Sequence, residues 1–110
     1  MAFTRTLTRQ VTTSTVVRTG ASALGDVVIG LRITNTTAAP VKASAYIESA
    51  GQAYYLVGGS ANATVGADIA VGGSMIVING DIDKVVMTTA DTIHVVSTGL
   101  VDVICSALEN

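Results

Sequence analysis

Apolar residues alternate along most of this chain, and no stretch repeats them at helical spacing. From residue 27 to 33 the odd positions are Val27, Ile29, Leu31 and Ile33, and between them stand Val28, Gly30 and Arg32. A period of two puts the odd set on one face of a strand. The same rhythm sets Val41, Ala43, Ala45 and Ile47 opposite Lys42, Ser44, Tyr46 and Glu48. Read along the whole chain, the pattern predicts strands over residues 10–18, 26–34, 41–48, 52–57, 74–78, 84–88, 93–96 and 100–108, with a weak one around 63–65. Turn chemistry separates them: small residues over 19–25, a turn over 35–40 closed by the lone Pro40, then Gly51, Gly58, Gly72–Gly73, Asn79–Gly80–Asp81, Ala90–Asp91 and Gly99. Eight or nine short strands so spaced predict an all-β fold, an antiparallel β-sandwich of jelly-roll-like form. The last strand is apolar on both sides, at Val101, Val103 and Cys105 and at Ile104 and Leu108, which suits the middle of a sheet or an interface.

The first 20 residues read differently from the rest. They are rich in Thr, which favours extended backbone, and carry Arg5, Arg9 and Arg18. The expected division is an N-terminal arm and first strand over 1–20 and the sandwich over 21–110. Residues 1–9 hold Phe3, Arg5 and Arg9 but no apolar stripe for packing on their own domain. The expectation is an arm that is mobile in the isolated subunit and orders on a neighbour.

Composition shifts the picture towards assembly. The 110 residues make one domain, of which only 13% are charged, against about 25% in an ordinary soluble domain. With one Phe and no Trp, the core rests on Val, Ile and Ala. So little charge on so apolar a chain predicts surface hidden between subunits. Net charge is −2, unevenly spread: residues 1–42 carry +4 and residues 43–110 carry −6. That asymmetry permits attraction between copies or to an acidic partner. Three arginines scattered along the arm, without interleaved aromatics, make no nucleic-acid footprint. No apolar run approaches the ~20 residues of a spanning helix, and the Thr-rich start is unlike a signal peptide, so folding in a cytoplasm is expected. Cys105 is the single cysteine and reads as a core thiol.

Candidate chemistry is sparse, and neither an enzyme nor a cofactor is expected. His94, the only histidine, lies between Ile93 and Val95 and so faces away from their side of the sheet. Asp81 and Asp83 flank Ile82 without the further oxygen ligands or closing Glu of a calcium loop, so a solvated turn is expected. One Cys and one His are too few for zinc. The paired glycines match no phosphate-binding fingerprint. Asn35 and Asn62 open glycosylation sequons without a secretory context. Tyr46, Tyr54 and Tyr55 share one presumed hairpin, where they would serve an interface or the core, or a platform for a sugar ring. Adjacent Tyr54 and Tyr55 point to opposite faces, so only one of them joins Tyr46.

The run Val27-Val28-Ile29-Gly30-Leu31-Arg32-Ile33-Thr34-Asn35-Thr36 resembles the opening of small virion structural proteins of tailed bacteriophages. Tyr54-Tyr55-Leu56-Val57, Val71-Gly72-Gly73-Ser74, Asp91-Thr92-Ile93 and the closing run from Val101 to Glu109 are similar too. The resemblance covers residues 25–110 and lies in rhythm and turn placement. Ala90 departs from it, standing where a glycine is expected before Asp91. The resemblance implies a non-enzymatic β-sandwich present in many copies in a virion assembled in the host cytoplasm. The expected role is a capsid decoration, or cement, protein bridging major capsid subunits. The alternative is a neck, tail or baseplate protein, and a third reading is a carbohydrate-binding module of an adhesin. Self-association is expected, with a trimer favoured because threefold symmetry suits a capsid lattice. The candidate interface residues are Phe3, Arg5, Arg9 and Arg18, the three tyrosines, and Ile104 and Leu108.

Overall fold

The alternating apolar runs do form strands, and their pairing is nested. The computed structural model describes residues 2–110, with strands β1 (Ala2–Val11), β2 (Thr15–Thr19), β3 (Asp26–Asn35), β4 (Val41–Ser49), β5 (Gln52–Val57), β6 (Ala67–Ile69), β7 (Ser74–Asn79), β8 (Val85–Met87), β9 (Thr92–Ser97) and β10 (Val101–Glu109). One 3-10 turn, Ala63–Val65, stands where a weak strand is expected from the sequence. In one sheet the order is β1-β10-β3-β7, with β8 also paired to β3. In the other it is β2-β9-β4-β5, with β6 also paired to β4. First thus pairs with last, β2 with β9, β3 with β8 and β7, and β4 with β6 and β5, every pair antiparallel. That wrapping is the jelly-roll form of the β-sandwich.

Ten strands rather than eight or nine follow from two differences. The expected first strand over 10–18 is two strands, because the chain leaves one sheet after Val11 and joins the other at Thr15. Gln10 takes φ 56° at a bulge there, and the Ser97 amide donates to the Thr12 carbonyl at 2.8 Å, so the crossing is itself bonded. The other difference is β6, which begins at Ala67, after the 3-10 turn.

The arm expectation is corrected at the same place. Residues 2–8 are extended, but they pair in register with 103–109 of β10 in the same chain. Backbone pairing supplies the anchor that an absent apolar stripe cannot.

The core lies between the sheets. Leu31 and Ile33 of β3 and Val101, Val103 and Cys105 of β10 face Ala43 and Ala45 of β4 and Ile93 and Val95 of β9. The expected Val41/Ala43/Ala45/Ile47 face points inward as read. The Val27/Ile29/Leu31/Ile33 face does so only in its second half. Ser106 pairs with Gly30 and the next residue, Ala107, with Val28, so Ile29 is an extra residue. This bulge reverses the alternation: Val28 is fully buried and Val27 and Ile29 turn outward.

Turn detail explains two further positions. Ala90 takes φ 75°, the conformation a glycine would adopt, and the turn is held by Asp91, whose Oδ2 accepts from the Thr88 amide at 3.0 Å. The Ser49 hydroxyl, then the Thr88 amide, hold the Asp91 carboxyl below its ordinary value. Asn35 is buried: its amide donates to the carbonyls of Ala39 and Ile69, and its Oδ1 accepts from the Thr37 amide. Its sequon is therefore spent on the 35–40 loop.

Candidate functional site

Register places three rows of outward side chains across the β1-β10-β3-β7 sheet. One row runs Leu7, Ile104, Arg32, Ile76. The next runs Arg5, Ser106, Gly30, Asn79. The third runs Phe3, Leu108, Val27, Val86, its last member on β8. The outer rows are apolar apart from Arg32, and the middle row, apart from Arg5, carries small or polar residues. They make a trough whose walls stand about 14 Å apart, four residues at about 3.4 Å each. A depression of about 250 Å³ lies along it, with Gly30 and Ser106 in its floor and Ile104, Ile76 and Arg32 in its wall. The walls face solvent: Phe3 is 79% exposed, Val86 62% and Ile76 60%. Apolar side chains aligned on one sheet face make it the candidate interaction surface.

The trough's charge is positive. Arg5, Arg9 and Arg32 are exposed, and among the described residues none of them has an ion-pair partner. Asp102 also faces outward, but its Oδ1 accepts from the Gln10 amide at 3.1 Å.

Five of the nine residues singled out from the sequence meet here: Phe3, Arg5, Ile104 and Leu108 in the rows and Arg9 beyond them on β1. Arg18 does not. It is buried at one end of the sandwich, where its guanidinium bonds Glu109 at 2.8 Å and Thr4 Oγ1 at 3.0 Å and lies 3.4 Å from Asp26. The bulge between Val16 and Arg18 turns it inward, so it is an internal tie rather than a surface residue. Ile76 and Val86 were not legible as partners of this surface, because only the non-local register brings them beside Arg32 and Val27.

Tyr46 and Tyr55 pair on the outer face of the other sheet, while Tyr54 stands opposite the inward-facing Ile47. Tyr46 is buried and stacks on His94, ring centroids 4.9 Å apart and planes 1° from parallel. Tyr55 tilts against Tyr46, ring centroids 5.3 Å apart and planes at 47°, while Tyr54 projects separately and is 60% exposed. Ser14 Oγ lies 2.8 Å from Tyr46 Oη and 3.4 Å from His94 Nδ1. His94 Nε2 bonds Thr92 Oγ1 at 2.9 Å and is 3.8 Å from Glu48. Ser, His and Glu thus converge, but the short bonds run elsewhere. Ser14 is tied to Tyr46 and the imidazole to the Thr92 hydroxyl. The cluster ties the connection between β1 and β2 to β9, β4 and β5. Sequence spacing showed neither Ser14 nor Glu48 as its members.

Cys105 is buried, and desolvation, partly opposed by Arg18, pushes its thiol up to about 11. Such a thiol is a packing group rather than a nucleophile. No group of three or more His, Cys, Asp or Glu positioned to hold a metal ion occurs among the described residues.

Fold and site together define a jelly-roll sandwich that presents an apolar, arginine-lined sheet face. Comparison with protein-family models, with curated proteins and with solved structures found no match to this chain.

Proposed function

We propose that this chain is a non-enzymatic structural subunit of a tailed-phage virion, a capsid decoration or cement protein that bridges neighbouring major capsid subunits. The observation that carries the reading is the solvent-facing pair of apolar rows on the β1-β10-β3-β7 sheet. A sandwich of this size gains nothing from exposing Phe3, Ile76 and Val86 unless another surface covers them. The burial would contribute roughly 25 cal/mol per Å² before the costs of association. The resemblance of residues 25–110 to small virion proteins supplies the setting, and the sparse charge agrees with repeated contacts between copies. The glycan-binding reading has less support, because Tyr46 is covered by His94 and cannot offer its ring to a sugar.

Copy number in purified particles tests the proposal. Quantitative mass spectrometry should find this chain in numbers comparable to the major capsid protein. A single ring's worth of copies would favour the neck, tail or baseplate alternative. Absence from particles would remove the virion reading.

A further inference from the structure

The trough has a counterpart on the same molecule. The turn between β7 and β8 presents Asp81, Ile82 and Asp83, an apolar side chain between two carboxylates. Ile82 is 85% exposed, and among the described residues neither aspartate has an ion-pair partner. The trough offers the complement: a floor without a side chain at Gly30, an apolar wall, and unpaired Arg5 and Arg32. We propose that the Asp81–Ile82–Asp83 turn of one copy seats in the Gly30 trough of a second copy, with Ile82 over Gly30 and the carboxylates on Arg5 and Arg32.

Three features support the occupant. The charges match, two carboxylates against two guanidiniums, with Lys84 the only cation on the turn. The turn is also pre-formed. The Asn79 carbonyl accepts from the amides of Ile82 at 3.0 Å and Asp83 at 2.7 Å, and its Oδ1 accepts from the Asp81 amide at 3.1 Å. Little ordering cost therefore attends docking. Finally, Asn79 both ends the trough's middle row and opens the turn. Knob and socket are neighbours on one face, so a twofold axis beside Asn79 lets two copies exchange turns reciprocally. The pairing is a dimer, in place of the trimer that a lattice argument favours.

The inference deepens the proposed assembly role and uses the same sheet face, yet it is testable apart from any particle. Sedimentation equilibrium of the full chain, 11.1 kDa as a monomer, should give twice that mass at micromolar concentration. Raising salt from low to high should weaken the dimer about tenfold or more, because the ion pairs lie at its rim. The variant carrying R5E and R32E should be monomeric, as should that carrying D81K and D83K. All four changes in one chain should restore the dimer, since the signs are exchanged. Every altered side chain is exposed, so unchanged thermal melts show that the variants are folded. A wild-type monomer at all concentrations, a trimer, or a four-fold variant that stays monomeric would each overturn the pairing. A monomeric chain abundant in particles would overturn the pairing and leave the virion role standing. A dimer absent from particles would do the reverse.

Discussion

Arg18 is the side chain through which the two sheets meet at one end. It rises from β2, in one sheet, and reaches Asp26 on β3, Glu109 on β10 and Thr4 on β1, all in the other. Asp26 is fully buried, and its Oδ2 accepts both from the guanidinium and from the Ala21 amide, at 2.6 Å. A buried carboxylate of this kind depends on its cation. Replacing Arg18 by Met leaves Asp26 without one, and breaking a buried pair in that way costs about 3–5 kcal/mol. The contribution of the pair itself is smaller, since Arg18 Nε and Asp26 Oδ1 have no hydrogen-bond partner. The double variant R18M/D26L should therefore recover much of the loss, because removing both charges also removes two desolvation penalties. Denaturant melts of the two variants check this. Equal stability of single and double variants would show that the pair does not act as a unit.

At the scale of elements, the bulge in β3 decides which residues are core. Val28, Leu31 and Ile33 point inward, and Ile29 is the inserted residue that faces the trough. Leu31→Ala should cost about 2–5 kcal/mol and Val28→Ala about 1.5–3 kcal/mol. Ile29→Ala should cost less than about 1 kcal/mol, as surface changes do. Unfolding midpoints of the three variants rank them, and a loss at Ile29 matching that at Leu31 would contradict the bulge. The same bulge marks how far β3 could be read in advance. Counting by twos finds the strand and its second half, because Leu31 and Ile33 share a phase with Val101 and Val103 across the pair. It cannot find one added residue, because Val27, Val28 and Ile29 are all apolar and either phase looks acceptable. By contrast, β4 pairs with β9 without a shift, and there alternation alone placed Val41, Ala43, Ala45 and Ile47 correctly. The outer surfaces were legible only in part. Phe3 and Ile104 stand out by type, but their neighbours Ile76 and Val86 belong to strands paired through β3. Ala90 is the opposite case: the expected glycine geometry is present, at φ 75°, without the glycine.

At the scale of the whole molecule, stability is unevenly spread, and β1 is its weakest part. Its outward residues Phe3, Arg5, Leu7 and Arg9 are exposed, and its inward ones from Thr4 to Thr8 are threonines. Until Val11, then, β1 adds little apolar burial to the fold. What holds residues 2–8 is the ladder to β10 and the bond from Arg18 to Thr4. Each hydrogen bond contributes about 0.5–1.5 kcal/mol net, while ordering each residue's backbone costs about 1–2 kcal/mol. Those quantities nearly cancel, so this strand opens locally at small free-energy cost. β3 is held on both sides and carries Leu31 and Ile33 at 1% and 0% exposure, so it opens only with the fold. Hydrogen exchange at a concentration where the chain is monomeric should show the β1 amides bonded to β10 exchanging well before those of β3. Deleting residues 2–9 should leave one cooperative melt with a lower midpoint. At higher concentration, pairing through the trough would cover Arg5 and Leu7 and slow exchange in β1 while leaving β3 unchanged. Exchange in β1 as slow as at Leu31 in the monomer, or loss of the cooperative melt on deletion, would show instead that the first strand is integral to the sandwich.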